Sequence, residues 1–227
     1  MVDFHRHFSP ERPPAHHRDV ILWYATSREK QWPLYETAGE GIIRGYGHLP
    51  LPDDPSPLFS LEHLKAALES DPAGHIAEIG DEPFFPFEQQ MQQLTAVLTL
   101  ARELQRVVVI HHRGSIAKVM KPLSAFSCDV PIIIHQYSGS VETARELHRK
   151  GIRISLSPAL RTRNMKLSHR LKELDVPFLL ETDYTGTDEI AYLDILTEHY
   201  RWVSTETKIP LPALVENQHE QSSILTH

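Results

Sequence analysis

Short uninterrupted apolar runs recur along the chain, separated by longer stretches in which apolar residues return every three or four positions. The runs at 2–5, 20–25, 42–46, 75–79, 107–111, 131–135, 151–156 and 176–181 predict eight strands. Three carry no polar interruption: Val-Val-Val-Ile ahead of His111, Ile-Ile-Ile ahead of His135 and Phe-Leu-Leu ahead of Glu181. Strands of a parallel sheet covered by helices bury both faces and read this way. Residues 87–104 form the plainest helix, with Phe87, Met91, Leu94, Leu98, Ala101 and Leu104 on one stripe. Further helices are expected at 61–68, capped by Ser60, at 141–149, capped by Ser140, and at 166–174 and 188–200. Pro13, Pro14, Pro83 and Pro86 mark loops, and the proline-rich stretch 50–57 reads as a turn-rich connection. Eight strands alternating with helices over 227 residues predict an α/β fold, a single (β/α)₈ TIM barrel spanning 1–227. The rival is an open doubly wound sheet, but no glycine-rich phosphate loop follows the first run.

Barrels place their chemistry at the C-terminal ends of the strands, and polar residues gather there. Asp3, His5 and His7 stand at i, i+2 and i+4 of the first run, which on an extended chain points all three to one side. Two imidazoles so spaced can begin a metal site; the plain alternative is a polar strand with unrelated histidines. Glu78 closes the fourth run, where a buried carboxylate must be paired or metal-bound. His111 ends the fifth run, His135 the sixth, and Asp183 follows the eighth. Any one such histidine is as readily a hydrogen-bonded core residue as a ligand; the joint pattern favours a metal. Six donors exceed what one tetrahedral ion takes and fit two ions bridged by Glu78 or a water. Imidazole and carboxylate suit Zn, Mn, Mg, Fe or Co without deciding among them. A pair of ions ~4 Å apart acidifies a water and clamps phosphoryl oxygens, and Asp183 is placed to accept a proton.

Composition narrows the classes. Hydrophobic residues make up 41% and charged residues 23%, a globular and not a disordered composition. The sole cysteine, Cys128, excludes an intrachain disulfide and a thiolate cluster, and reads as a buried small hydrophobe. No apolar run reaches the ~18 residues of a membrane span. The first residues lack a signal-peptide pattern, so a cytoplasmic protein is expected. Against 23 basic residues stand 30 acidic ones, a formal charge of −7. That balance argues against a broad basic surface for duplex DNA, though not against a small metal-dominated phosphate site. Histidine is abundant, at 15 residues. His16 and His17 read as exposed loop, and His112 as a structural residue facing away from His111. Tyr46 and Tyr137 are candidates for stacking on a base or for core packing. Residues 213–227 form either a packed or a weakly ordered tail.

Five segments then fall into a familiar order. Asp3-Phe4-His5-Arg6-His7, Ala77-Glu78-Ile79-Gly80, Ile110-His111-His112-Arg113, His135-Gln136-Tyr137-Ser138-Gly139 and Leu179-Leu180-Glu181-Thr182-Asp183 resemble successive motifs of the TatD family of metal-dependent deoxyribonucleases, within the amidohydrolase-like superfamily. Gly47-His48-Leu49-Pro50 resembles a further motif loosely. The resemblance implies a TIM-like barrel, a one- or two-metal centre and 3′–5′ exonuclease or phosphodiesterase activity on DNA. It implies that His5, His7, Glu78 and Asp183 hold one divalent ion and Glu78, His111 and His135 a second, and that His48 and Arg113 lie near the substrate phosphate. Two departures stand out. Asp81-Glu82 replaces the family's Leu-Asp, an added acid with the capacity to repel substrate or shift metal preference. Tyr184-Thr185-Gly186-Thr187-Asp188 replaces a proline and an Asn-Glu-Pro loop, so the loops facing the substrate differ.

The expected protein is thus a phosphodiester hydrolase using two divalent ions, Mg, Mn or Zn. Glu78 and Asp183 are its catalytic carboxylates, Arg113 and His48 its substrate contacts, and single-stranded DNA ends its partner, since an end can enter a barrel mouth that a duplex cannot. The alternatives are a hydrolase of a small ester, amide or phosphoester, and a non-catalytic barrel subunit of a complex.

Overall fold

Eight parallel strands follow one another in chain order around a barrel. They are β1 Val2–Arg6, β2 Ile21–Ala25, β3 Ile42–Tyr46, β4 His75–Asp81, β5 Val108–His112, β6 Ile132–Ile134, β7 Ile152–Leu156 and β8 Leu179–Leu180. The helices are α1 Leu61–Ser70, α2 Phe87–Leu104, α3 Ile116–Phe126, α4 Val141–Arg149, α5 Ala159–Thr162, α6 Glu189–Thr207 and α7 Leu211–Thr226, with 3₁₀ segments at Glu29–Thr37 and Lys166–Glu173. The computed structural model describes residues 1–8, 17–37, 42–49, 59–83, 85–113, 116–127, 129–163 and 165–226. Pro13, Pro14, His16, Cys128 and the connection 50–57 lie outside the described residues. No helix among the described residues is long and apolar enough to cross a membrane.

The predicted caps are in place: Ser60 Oγ accepts from His63 N at 3.2 Å, and Ser140 Oγ from Thr143 N at 3.1 Å. Each satisfies one of the N–H groups a helix start leaves open. The segment expected as a helix at 166–174 is a 3₁₀ stretch, and α3, α5 and α7 were not predicted. The doubtful tail resolves into α7, which packs against the barrel.

Two apolar layers explain the unbroken runs. Val2, Phe4, Trp23, Val107, Val109, Ile133 and Leu179 cluster inside the barrel together with Leu225 of α7. Leu22, Ile42, Ile76, Val108, Ile110, Ile132, Ile134 and Ile152 face the helices. Strict alternation then turns His111 inward with Val107 and Val109, and His135 inward with Ile133.

Alternation fails at two strands. In β1 the register against β2 slips between Asp3 and Arg6, and in β4 the register against β5 slips between Ile76 and Ile79. Ile76 and Ile79 both pack in the outer layer although three residues apart. Such bulges re-aim a side chain. The Asp3 carboxylate therefore does not share a side with His5 and His7 as simple alternation predicts. It is fully buried and accepts from Thr182 N, Thr182 Oγ1 and Tyr192 OH of α6 at 2.9, 2.7 and 3.0 Å.

Those bonds help to close the barrel, because β8 is only two residues long. Asp183 N donates to His5 O at 2.9 Å and His7 N to Tyr184 O at 3.0 Å. The other edge of β8 pairs with β7, and ahead of the β1 seam Gln218 of α7 takes up the free backbone groups: its Oε1 accepts from Leu180 N at 2.8 Å, and its Nε2 donates to Phe178 O at 3.0 Å.

Candidate metal centre

The C-terminal ends of β1, β4, β5, β6 and β8 converge on one point. Glu78 Oε1 lies 3.6 Å from His5 Nε2, 3.5 Å from His7 Nε2, 3.7 Å from His111 Nδ1 and 3.8 Å from His135 Nε2. Asp183 Oδ1 lies 3.2 Å from His7 Nε2 and 3.8 Å from His5 Nε2. The six residues singled out from strand ends meet as two donor groups sharing Glu78: His5, His7, Glu78 and Asp183; and Glu78, His111 and His135. A third group, His5, His135 and Glu181, overlaps them.

The backbone is bent to bring them there. Glu78, Gln136 and Asp183 have φ of 46°, 48° and 52°, a left-handed conformation that costs a non-glycine residue ~1–2 kcal/mol. All three follow or interrupt strands at the mouth, and strain of this kind concentrates at functional sites. Gly80, between Glu78 and Glu82, allows the close approach of β4 to β5: a Cβ there would lie 1.7 Å from His111 O.

The separations fit cations better than hydrogen bonds. Most exceed the 2.7–3.2 Å of an N–H···O bond, whereas two donors sharing a tetrahedral ion at ~2.1 Å sit roughly 3.4 Å apart. Both ring nitrogens of His5 are buried with no hydrogen-bond partner, a state that a cation at Nε2 would relieve. Surrounding groups set the ring orientations. His7 Nδ1 lies 3.1 Å from Ala25 O, His135 Nδ1 lies 3.5 Å from Glu181 Oε1, and Ser155 Oγ donates to Glu181 Oε2 at 2.6 Å. Ser27 Oγ donates to Glu78 Oε2, and Gln136 Nε2 to Asp183 Oδ2.

Charges respond accordingly. Burial pushes the Glu78 carboxyl up, but the nearby His7 and His5 imidazoles overcome it and hold it well below the usual range. Asp183 is lowered in the same way, against burial, chiefly by His7. Burial alone would lower His7; Glu78 and Asp183 instead raise it well above the ordinary histidine value. Glu78 and Asp183 thus favour positive charge within the cluster.

The remaining sequence candidates lie around this cluster. Arg113 has a largely exposed side chain with Nε 3.3 Å from Glu82 Oε1. His48 is buried outside the donor groups, its Nδ1 accepting from Glu29 N at 3.3 Å and its ring 5.4 Å from Phe59. Tyr46 packs among Trp32 and Tyr35 and donates to Asp71 at 2.9 Å, a core role. His112 pairs with Asp81, Nδ1 to Oδ1 2.6 Å. Glu181, Gln136 and Ser27 were not singled out from sequence, and Glu82 only as part of the acidic pair after Gly80. Of the first three, Glu181 alone left a signal, as the second acid of Glu-Thr-Asp. A cleft of about 440 Å³ opens beside the centre, lined by His111, Arg113, His135, Tyr137, Arg163 and Met165 among others.

A parallel (β/α)₈ barrel with a histidine–carboxylate cluster at its strand C-termini belongs to the class of barrels built to hold divalent cations. The family model described as TatD related DNase matches residues 30–206, and the chain belongs to the TatD family. An uncharacterized metal-dependent hydrolase of Methanocaldococcus jannaschii, MJ1582, is 31% identical over 113 residues, 46% of this chain and 44% of its own length. A second uncharacterized metal-dependent hydrolase, YjjV of Escherichia coli K12, is 31% identical over 170 residues, 68% of this chain and 60% of its own. The matches thus span less than two thirds of either relative. In fold, the crystal structure of YjjV, a TatD homologue, superposes with a TM-score of 0.77 over 99% of this chain and 96% of that one, at 20% identity. A TatD family hydrolase from Entamoeba histolytica gives 0.70 over 90% and 83%, at 14% identity.

Proposed function

We propose that this chain is a phosphodiester hydrolase that uses two divalent ions, Mg, Mn or Zn, and removes nucleotides from single-stranded DNA ends in the 3′–5′ direction. The observation that carries the proposal is Glu78 Oε1 lying within 3.8 Å of four imidazole nitrogens. Such a shared carboxylate fits a bridge between two cations. His5, His7, Glu78 and Asp183 would hold one ion; Glu78, His111 and His135 the other. When bound, the ions would supply an acidified water and neutralise charge developing on phosphoryl oxygens.

The chain's own groups account for the rest. Asp183 is a quarter exposed, unlike the buried Glu78, and stays ionised beside His7. It is therefore the carboxylate placed to take a proton from a water entering at the mouth. Gln136 holds its second oxygen. Arg113 offers a planar fork suited to phosphate oxygens, and His48, just past β3, would be a second substrate contact. The cleft beside His111 and His135 has room for about one nucleotide unit, which suits a chain end over a duplex. The same modest size lies in the range of small-molecule pockets and favours, as a second reading, a compact phosphoester.

The test is digestion of end-labelled single-stranded DNA with Mg, Mn, Zn or none, beside His111→Ala and Asp183→Ala. Metal-dependent loss of terminal nucleotides that drops at least ~100-fold in both variants is expected. Unchanged cleavage in both variants rejects the assignment. Turnover of a small phosphoester with intact DNA supports the second reading.

A further inference from the structure

Glu82 stands beside the added acid Asp81, where the family pattern has an aspartate, and the structure gives it specific partners. It is buried, yet it belongs to none of the donor groups. Its Oε1 lies 2.9 Å from His111 Nε2 and 3.3 Å from Arg113 Nε. The other ring nitrogen of His111, Nδ1, lies 2.9 Å from His135 Nε2 and 3.7 Å from Glu78 Oε1. A neutral imidazole carries one proton, and a carboxylate at Nε2 draws it there. Nδ1 is then left with its lone pair directed at the donor cluster. In the other tautomer Nε2 accepts from Arg113 Nε at 3.4 Å, a longer contact than the 2.9 Å carboxylate pair.

The backbone that carries the carboxylate is itself held. Gln90 of α2 accepts from Glu82 N at 2.7 Å and donates to Glu82 O at 2.9 Å and to Phe85 O at 3.0 Å. The β4–β5 register pairs Gly80 with His111 and Asp81 with His112, so the acids at the end of β4 face the imidazoles at the end of β5. Asp81 serves His112, and Glu82 serves His111. A bare carboxylate near the mouth would repel a phosphate. This one is shared between an imidazole and a guanidinium.

We propose that Glu82 is a positioning residue: its carboxylate, 2.9 Å from His111 Nε2 and 3.3 Å from Arg113 Nε, draws the imidazole proton to Nε2, turns Nδ1 toward the cation site and keeps Arg113 beside it. The proposal rests on the metal reading above. Its test uses Glu82→Ala and Glu82→Gln, the latter retaining an oxygen that can stand near both partners. Nitrogen-15 NMR of the chelator-treated protein reports the His111 tautomer, and calorimetric titration with Zn or Mn reports ion affinity. The parent is expected to carry the proton on Nε2. Glu82→Ala is expected to show a mixed tautomer and a ~10–100-fold weaker affinity for one ion, with Glu82→Gln recovering most of the loss. Parent-like ion affinity in Glu82→Ala, or a Glu82→Gln as weak as Glu82→Ala, overturns the proposal. A parent that takes up no ion instead overturns the metal reading; the tautomer in the metal-free protein then decides for or against Glu82 by itself.

Discussion

Gln218→Ala tests how the short eighth strand is held. β8 offers two residues, Leu179 and Leu180, yet it must carry Glu181 and Asp183 to the mouth. Gln218 is fully buried and supplies both a donor and an acceptor to the backbone there, at 2.8 and 3.0 Å. Truncation leaves Leu180 N and Phe178 O buried without these partners. Each unsatisfied group costs ~1–3 kcal/mol, so the variant should lose roughly 2–5 kcal/mol. For a chain of this size 1 kcal/mol moves Tm by about 2–4 °C, which puts the expected drop at roughly 4–20 °C. Thermal and urea unfolding followed by tryptophan fluorescence are suitable, because Trp23 Nε1 donates to Ser222 Oγ of the same helix at 3.2 Å. Gln218→Met separates the two contributions: it refills the volume without restoring either bond, and should remain closer to Ala than to the parent. Unfolding of Gln218→Ala within ~0.5 kcal/mol of the parent, or full recovery in Gln218→Met, refutes the reasoning.

Gly80→Ala should damage stability and ion binding together, because its Cβ would meet His111 O, a backbone atom, at 1.7 Å; a loss of ~1–3 kcal/mol with weaker ion uptake is expected, and parent-like values of both would count against the close approach. His199 should govern part of the acid sensitivity. It is buried, its Nε2 lies 2.8 Å from Leu156 O, its Nδ1 has no partner, and burial lowers it from 6.5 to about 4. The unfolded chain binds this proton first, so the stability it contributes is complete above pH 6.5 and declines as pH falls toward 4, by about 3 kcal/mol. Urea midpoints at pH 7.5 and 4.5 should therefore converge in His199→Gln relative to the parent; equal pH dependence in the two proteins would contradict the assignment.

Much of the barrel is written in burial pattern. Val107 to Ile110 and Ile132 to Ile134 could only be two-faced strands, and once strands alternate in and out, His111 and His135 must enter the barrel with Val109 and Ile133. The convergence of the six donors was legible because each ends or follows such a run. What was not legible depends on local departures from regular backbone. Asp3, His5 and His7 read as one face, but the slip before Arg6 separates Asp3 from the imidazoles. The left-handed φ of Glu78, Gln136 and Asp183 falls on residues with no glycine to announce it. Gln136 and Ser27 hold the carboxylates through tertiary placement that no spacing encodes. α7 was left open because its polar surface residues hide the few that matter, Leu214, Gln218 and Leu225.

The central claim is that one carboxylate, Glu78, joins two cation sites. Ion uptake by the chelator-treated parent and by Glu78→Ala, measured by equilibrium dialysis against Zn or Mn with elemental analysis, tests it most directly. The account predicts two ions per parent chain and weakened binding of both in Glu78→Ala. A parent that binds no ion, or a variant that retains both at parental affinity, contradicts it.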